Sequence, residues 1–246
     1  MPRYKLTIEY DGTGLMGWQR QAHGPSVQEH IEVAIEKFCG EKVELFCAGR
    51  TDAGVHALGQ VAHIDISRNE EAFTVRQAIN FHLQPARIVV VEAEEAAPDF
   101  HARFSATRRH YLYRITNRRA RPALEEGRVW HIPTALDAPA MLDAAQVLVG
   151  HHDFTTFRSS ECQAKSPEKT LDFLDVMQQG ENVLIYTYAR SFFHHQVRNM
   201  VGSLVQVGLG KWRKADLETA LHARDRKAGG PTAPAQGLYF IKVDYE

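Results

Sequence analysis

No two of the three cysteines in this 246-residue chain, Cys39, Cys47 and Cys162, form a C-x-x-C pair. An odd set at such spacing argues against a disulfide framework and against a structural zinc site, and it predicts reduced, buried thiols. Nor does any segment approach the roughly 18 uninterrupted apolar residues that a membrane span requires. The opening residues, MPRYKLTIEY, have no apolar run of signal-peptide length. A cytoplasmic protein with no membrane partner is expected. Excess positive charge is missing too, because 29 Lys and Arg face 30 Asp and Glu for a formal net charge of -1. Any polyanionic partner must therefore be met by a local patch and not by the field of the whole chain. What is present is an ordinary globular composition, 44% hydrophobic and 24% charged, with no long low-complexity linker.

Periodicity then divides the chain into short elements. Tyr4, Leu6, Ile8 and Tyr10 alternate with polar residues, the period of a strand with one buried face, and Asp11-Gly12-Thr13-Gly14 supplies a turn. Ser26 and Glu29 stand at capping-box spacing ahead of Ile31, Ala34, Ile35 and Phe38, and Gly40 occupies the place of a C-terminal cap. Strands are predicted over 43–47, 60–66 and 87–94 and around Tyr111, Tyr113 and Ile115. Thr74 and Gln77 offer a second capping box before a short helix. The second half repeats the mixture: a helix from Asp137 to about Val149, a loop, a hairpin around 179–182, a helix with its apolar face on Val197, Met200, Val201, Leu204 and Val205, a short helix at 217–223 and a final strand at 238–243. Residues 228–234, AGGPTAP, read as the most flexible internal loop. Strands and capped helices without regular alternation predict an α+β fold in two halves, residues 1–120 and 121–246, around a cleft.

Seven arginines, at 103, 108, 109, 114, 118, 119 and 121, lie between Phe100 and Arg121, interleaved with His101, Phe104, His110, Tyr111 and Tyr113 and with no acid inside the run. Guanidinium forks suit phosphate oxygens, and exposed rings stack on unpaired bases, so the segment fits single-stranded or loop RNA. It fits equally an edge strand whose arginines keep it soluble. The pairs His151-His152 and His194-His195 are poor chelators, since neighbours on a strand point to opposite faces.

The stretch GRTDAGVHALGQVAH places Asp52 two residues after Arg50, between Gly49 and Gly54, in the loop that joins two predicted strands. Thr51-Asp52-Ala53-Gly54 is good turn chemistry in its own right. A carboxylate beside an arginine, on a loop tethered at both ends, is also a well-displayed nucleophile. Local spacing leaves both readings open, along with a hydrolase that pairs Asp52 with His56 or His63.

This stretch resembles the active-site signature of the TruA family of tRNA pseudouridine synthases. YDGTGLMGWQRQ, SVQEHIE, DFHARFSATRRHYLYRI, GHHDFTTF, VRNMVGSLVQVG and GLYF match family motifs in family order over essentially the whole chain. Leu15-Met16 departs from the family's usual aromatic before GW, and Gln196 from an apolar residue before Val-Arg. The resemblance implies the pseudouridine synthase fold, with a mixed, largely antiparallel sheet and flanking helices. It implies isomerisation of uridine to pseudouridine at positions 38, 39 and 40 of the tRNA anticodon stem-loop, by a homodimer that uses neither cofactor nor metal. Asp52 is then the catalytic residue, Arg198 its partner, and Arg50 the residue that helps extrude the target nucleotide. Tyr111 is the substrate-binding tyrosine. The tRNA-contacting segments fall on Phe100, His101, Ala102, Arg103 and Phe104 and on Glu161, Cys162, Gln163, Ala164 and Lys165. The rival is a noncatalytic RNA-binding protein that uses the arginine and aromatic cluster.

Overall fold

A computed structural model describes residues 1–245. In chain order it contains β1 (Arg3–Tyr10), α1 (Val27–Cys39), β2 (Phe46–Cys47), β3 (His56–Asp65), α2 (Ala72–Leu83), β4 (Ile88–Ala96) and β5 (Ala106–Asn117). These are followed by β6 (Trp130–Ile132), α3 (Ala138–Ala145), β7 (Gly150–Asp153), β8 (Glu168–Leu171), β9 (Phe173–Gln179), β10 (Asn182–Ala189), α4 (Gln196–Gly208), α5 (Lys214–Ala223) and β11 (Leu238–Tyr245). The class is α+β with mostly antiparallel pairing. The chain forms two compact units, Met1–Arg109 together with Tyr239 onward, and His110–Leu238.

In the first unit the strands run in the order β4-β1-β3-β11, with β2 also on β3. β1 pairs antiparallel with both β3 and β4, whereas β11 meets β3 in parallel at Tyr239 and His56. The inward set of β1, Tyr4, Leu6, Ile8 and Tyr10, is fully buried, as its alternation requires. Each such side chain contributes about 1.5–3 kcal/mol by leaving water. α1 starts where Ser26 accepts the Glu29 amide and ends at Gly40, whose φ of 77° suits a residue without a Cβ.

The second unit holds the antiparallel hairpin β9-β10, turned at Gly180, and the parallel pair β5-β6. α4 is buried on nearly all sides, not on one face: Arg198 and Gln206 are the two of its residues that are not buried. Gly202 and Ser203 help make this possible, because small residues let the backbone of Gly230, Pro231 and Ala233 approach the helix closely, and Gly208 leaves room for the Met141 side chain.

Several local expectations need correction. α2 has Glu71 at its N-cap with no side-chain bond, and Thr74 lies inside the helix, so the second capping box does not form. The strand predicted over 43–47 shrinks to two residues, and the helix after Asp137 stops at Ala145 and continues as a single tight turn over Gln146–Leu148. The loop expected after Gly150 begins as a strand, β7, paired with β8. Most notably, the 228–234 segment is pinned to α4. The Ser203 hydroxyl accepts the Gly230 amide at 2.9 Å, and the Arg226 guanidinium reaches Asn199 Oδ1, Thr232 Oγ1 and the Gly230 carbonyl, each at 3.0 Å. Glycine there signals close packing against a helix and not freedom of motion.

Candidate active site

The loop from Ala48 to Val55 is fixed from several directions. The Ala48 amide donates to the Val61 carbonyl at 2.8 Å, and the Gln60 side chain donates to the Gly49 carbonyl at 2.7 Å. Tyr10 and Thr51 share a hydroxyl–hydroxyl bond of 2.7 Å, and the Trp18 amide donates to the Thr51 carbonyl at 3.0 Å. The Asp52 carbonyl then accepts the Val55 amide at 3.1 Å, closing a turn with Gly54 at φ 79°. Asp52 is therefore a turn residue by its backbone. Its side chain is left half-buried, next to an exposed Arg50 and a buried Thr51. The two readings of the sequence do not compete, since the turn is what displays the carboxylate.

YDGTGLMGW supplies the backing, a role its sequence motif did not disclose. A Cβ on Gly17 would lie 2.5 Å from the Thr51 carbonyl oxygen and 2.9 Å from the Asp52 carbonyl carbon, and one on Gly12 would lie 2.1 Å from the Val55 oxygen. Backbone runs against backbone on both sides of Asp52, which only glycine permits. The departure at Leu15-Met16 meets the loop only through backbone: the Leu15 carbonyl accepts the Gly54 amide at 3.3 Å, while the Met16 side chain is exposed and its amide donates to the Pro25 carbonyl at 2.8 Å.

Cys47, His56 and His63 are otherwise engaged. Burial pushes the Cys47 thiol up to about 12, with the Arg50 and Arg103 charges only partly offsetting it, so it is no thiolate at neutral pH. His56 Nδ1 accepts the Gly12 amide at 3.0 Å and its ring stacks on Tyr239 at 4.8 Å. An Nδ1 used as an acceptor carries no proton to share with Asp11 Oδ1, so the 3.2 Å approach of that carboxylate is not counted as an ion pair. His63 Nδ1 accepts the Ala102 amide at 3.1 Å, and burial, aided by His101 and Arg3, pushes its pKa down to about 4. Both histidines are structural, which removes the base from the hydrolase reading.

The other expected residues fall as follows. The Phe100–Phe104 turn belongs to the first unit: Phe104 and Arg103 are exposed, with the guanidinium 5.7 Å from the ring centroid, while Ala102 is buried and Phe100 and His101 are partly so. In the second unit Tyr111 packs edge-on against Phe192 at 5.2 Å. Tyr113 is set apart from it, because its hydroxyl donates to the Pro234 carbonyl at 2.7 Å and burial raises its phenol. Arg198 donates from Nε to the Ala233 carbonyl at 2.8 Å, and the Ala233 amide returns a bond to the Arg198 carbonyl at 3.1 Å. Gln196 fits its polar side chain into a buried place by accepting the Phe193 amide at 2.9 Å. Glu161, Gln163, Ala164 and Lys165 are exposed and Cys162 is half-buried, in the connection before β8.

The seven arginines do not form one patch of available cations. Arg109 is buried, and Arg114, Arg118 and Arg121 meet Glu125, Glu181 and Glu126, acids that lie outside the run. Arg103, Arg108, Arg119 and the paired Arg121 are exposed. No helix among the described residues is long and apolar enough to cross a membrane.

A family model described as tRNA pseudouridine synthase matches residues 6–105 and 144–246. A relative from Paramagnetospirillum magneticum named tRNA pseudouridine synthase A is 60% identical over 245 residues, covering 100% of this chain and 96% of that one. Relatives of the same name from Nitrobacter winogradskyi and Rhodospirillum centenum are 61% and 60% identical, again over 100% of this chain and over 96% and 100% of theirs. With the match running through the Asp52 loop, its glycine backing and α4, the chain belongs to the tRNA pseudouridine synthase family.

Proposed function

We propose that this protein isomerises uridine to pseudouridine at positions 38, 39 and 40 of the tRNA anticodon stem-loop, with Asp52 as the nucleophile. The observation that carries this reading is the Asp52 loop itself: a half-buried carboxylate on a turn whose backbone is held before, at and after the acid. The reaction breaks the N1–C1′ bond, turns the base and joins C5 to C1′, moving a proton from C5 to N1. It leaves composition and oxidation state unchanged, so a redox cofactor has no task in it. Attack by the carboxylate on C6 or on C1′ requires the ionised form. Arg198 is assigned to favour that form electrostatically, and Arg50 to assist the extruded nucleotide, since a stacked base hides its glycosidic bond. Tyr111 is assigned to the flipped uracil, and the 100–104 and 161–165 segments to the body of the RNA, with Arg103 and Lys165 on phosphates. The working form is a cytoplasmic homodimer.

Incubation with unmodified tRNA, followed by nucleotide-resolution mapping of pseudouridine, tests the reading. Product is expected at the three neighbouring positions and is expected to vanish in Asp52→Ala while tRNA binding persists. Unchanged turnover in Asp52→Ala removes the nucleophile assignment, and loss of activity on chelation favours a metal enzyme instead.

A further inference from the structure

The root of the Asp52 loop and the Phe100–Phe104 turn are distant in sequence, yet one side chain ties their backbones together. Arg109 on β5, only 8% exposed, donates from Nε and Nη2 to the Ala48 carbonyl at 3.2 and 3.0 Å. Its Nη1 donates to the Ala106 carbonyl at 3.0 Å, and Nη2 donates as well to the carbonyl of Arg103. Ala48 stands four residues ahead of Asp52. A guanidinium withdrawn from water must have its N–H groups met, and bonds from a charged donor are roughly twice as strong as neutral ones. Three carbonyls approached from fixed directions suit a planar fork, and a lysine ammonium cannot reproduce that pattern.

The turn is stiff enough to pass on a displacement. The Tyr245 hydroxyl donates to the Ala102 carbonyl at 2.8 Å, the Ala102 amide donates to His63, and the His101 amide donates to Ser105 Oγ at 3.0 Å. The exposed Arg103 side chain and the carbonyl that Arg109 holds belong to one residue, so a contact made on that side chain lies next to the charge that holds the start of the Asp52 loop.

We infer that Arg109 is a positioning residue that couples RNA docking on the Phe100–Phe104 turn to the placement of Asp52. The inference rests on the proposed RNA role of that turn. Arg109 touches no reacting atom; it acts through the Ala48 backbone.

Amide hydrogen exchange and turnover, measured on the full chain with an unmodified anticodon stem-loop RNA, test the coupling. In the unsubstituted protein the RNA is expected to slow exchange across residues 49–55. Arg109→Lys is expected to bind the RNA within about threefold of normal, to lose the exchange response, and to lower kcat by on the order of 100-fold with KM little changed, as a misplaced catalytic group does. Arg109→Met is expected to fall lower than Arg109→Lys. Normal kcat in Arg109→Lys, or a loop that still responds to RNA, overturns the coupling. So does a loss in both variants that merely follows the unfolded fraction seen by thermal melting. Should Arg109→Lys fail to fold, the unsubstituted protein still decides: no change at 49–55 on RNA binding sinks the inference. If RNA alters exchange at 49–55 and Arg109→Lys abolishes that response, yet no pseudouridine forms, the enzymatic reading fails and the coupling stands.

Discussion

The Tyr10 hydroxyl and Thr51 Oγ1 lie 2.7 Å apart, both in buried residues, so the end of β1 holds the residue immediately before Asp52. Burial raises the Tyr10 phenol, and it stays an O–H donor or acceptor throughout the working pH range. Tyr10→Phe leaves the threonine hydroxyl without this partner inside the protein. It is expected to cost about 1–3 kcal/mol of stability by urea titration. If the loop shifts so that transition-state stabilisation falls by ~1.4 kcal/mol, kcat drops about tenfold. A variant as active as the parent shows that Thr51 needs no anchor.

Gly17 makes a sharper test of the same loop. Its φ of 89° already disfavours a side chain, and the added methyl of Gly17→Ala would sit 2.5 Å from the Thr51 carbonyl oxygen. Backbone on both sides must separate, so pseudouridine formation is expected to fall on the order of 100-fold. Gly14→Ala serves as comparison: its φ is 77° but no atom lies within 4 Å of the new methyl. It should lose stability by roughly 1–2 kcal/mol and keep its turnover. Equal losses in the two variants would mean that strain, and not the close approach to Asp52, controls the site.

What the sequence disclosed follows a physical line. α1 was legible because Ser26, Glu29, the apolar face and Gly40 are all local signals, and the β9-β10 hairpin because its turn and alternation are adjacent. Asp52 was visible as a turn residue, as its backbone bears out, and its assignment as nucleophile is proposed on the signature around it. Hidden were the features made by residues distant in sequence. Gly12 read as a turn glycine and Gly17 gave no signal of its own, when both admit the backbone of the loop around Asp52, Gly12 at Gly54 and Val55 and Gly17 at Thr51 and Asp52. Arg109 read as one cation among seven when it is a buried clamp on carbonyls. AGGPTAP read as flexible because composition cannot report that Ser203 and Arg226 fasten it to α4. Spacing describes what a segment tends to do alone, and these residues act on segments far from themselves.

His63 makes stability pH-dependent. Burial holds its folded pKa down to about 4, against an ordinary value of 6.5. Above pH 6.5 it is neutral in both states and contributes nothing. Between 6.5 and 4 the unfolded chain takes up the proton that the folded one refuses, so stability falls as pH falls. His101 is shifted in the same direction by its own burial and adds to the slope. A loss on the order of 2 kcal/mol between pH 7.5 and pH 4.5 is expected in urea titrations. His63→Gln keeps an acceptor for the Ala102 amide and should flatten the profile. An unaltered slope in that variant assigns the acid sensitivity to other groups.

Gly202 links the buried helix to Arg198. A Cβ there would come 1.7 Å from the Pro231 carbonyl oxygen, a distance that no side-chain adjustment relieves because the obstacle is backbone. Gly202→Ala must push the Gly229–Ala233 segment off α4, and Ala233 is bonded in both directions to Arg198. Overpacking of this kind costs about 1–3 kcal/mol. If Arg198 has the catalytic role assigned to it, the variant loses kcat beyond what its stability explains. The comparison is Gly180→Ala in the β9-β10 turn, where φ is 58° and no atom lies within 4 Å. That substitution meets only backbone strain, of about 1–2 kcal/mol, and is expected to leave kcat as it was. Assayed well below both melting temperatures, a kcat for Gly202→Ala equal to that of Gly180→Ala would separate the Ala233 anchor from catalysis and leave it a purely structural bond.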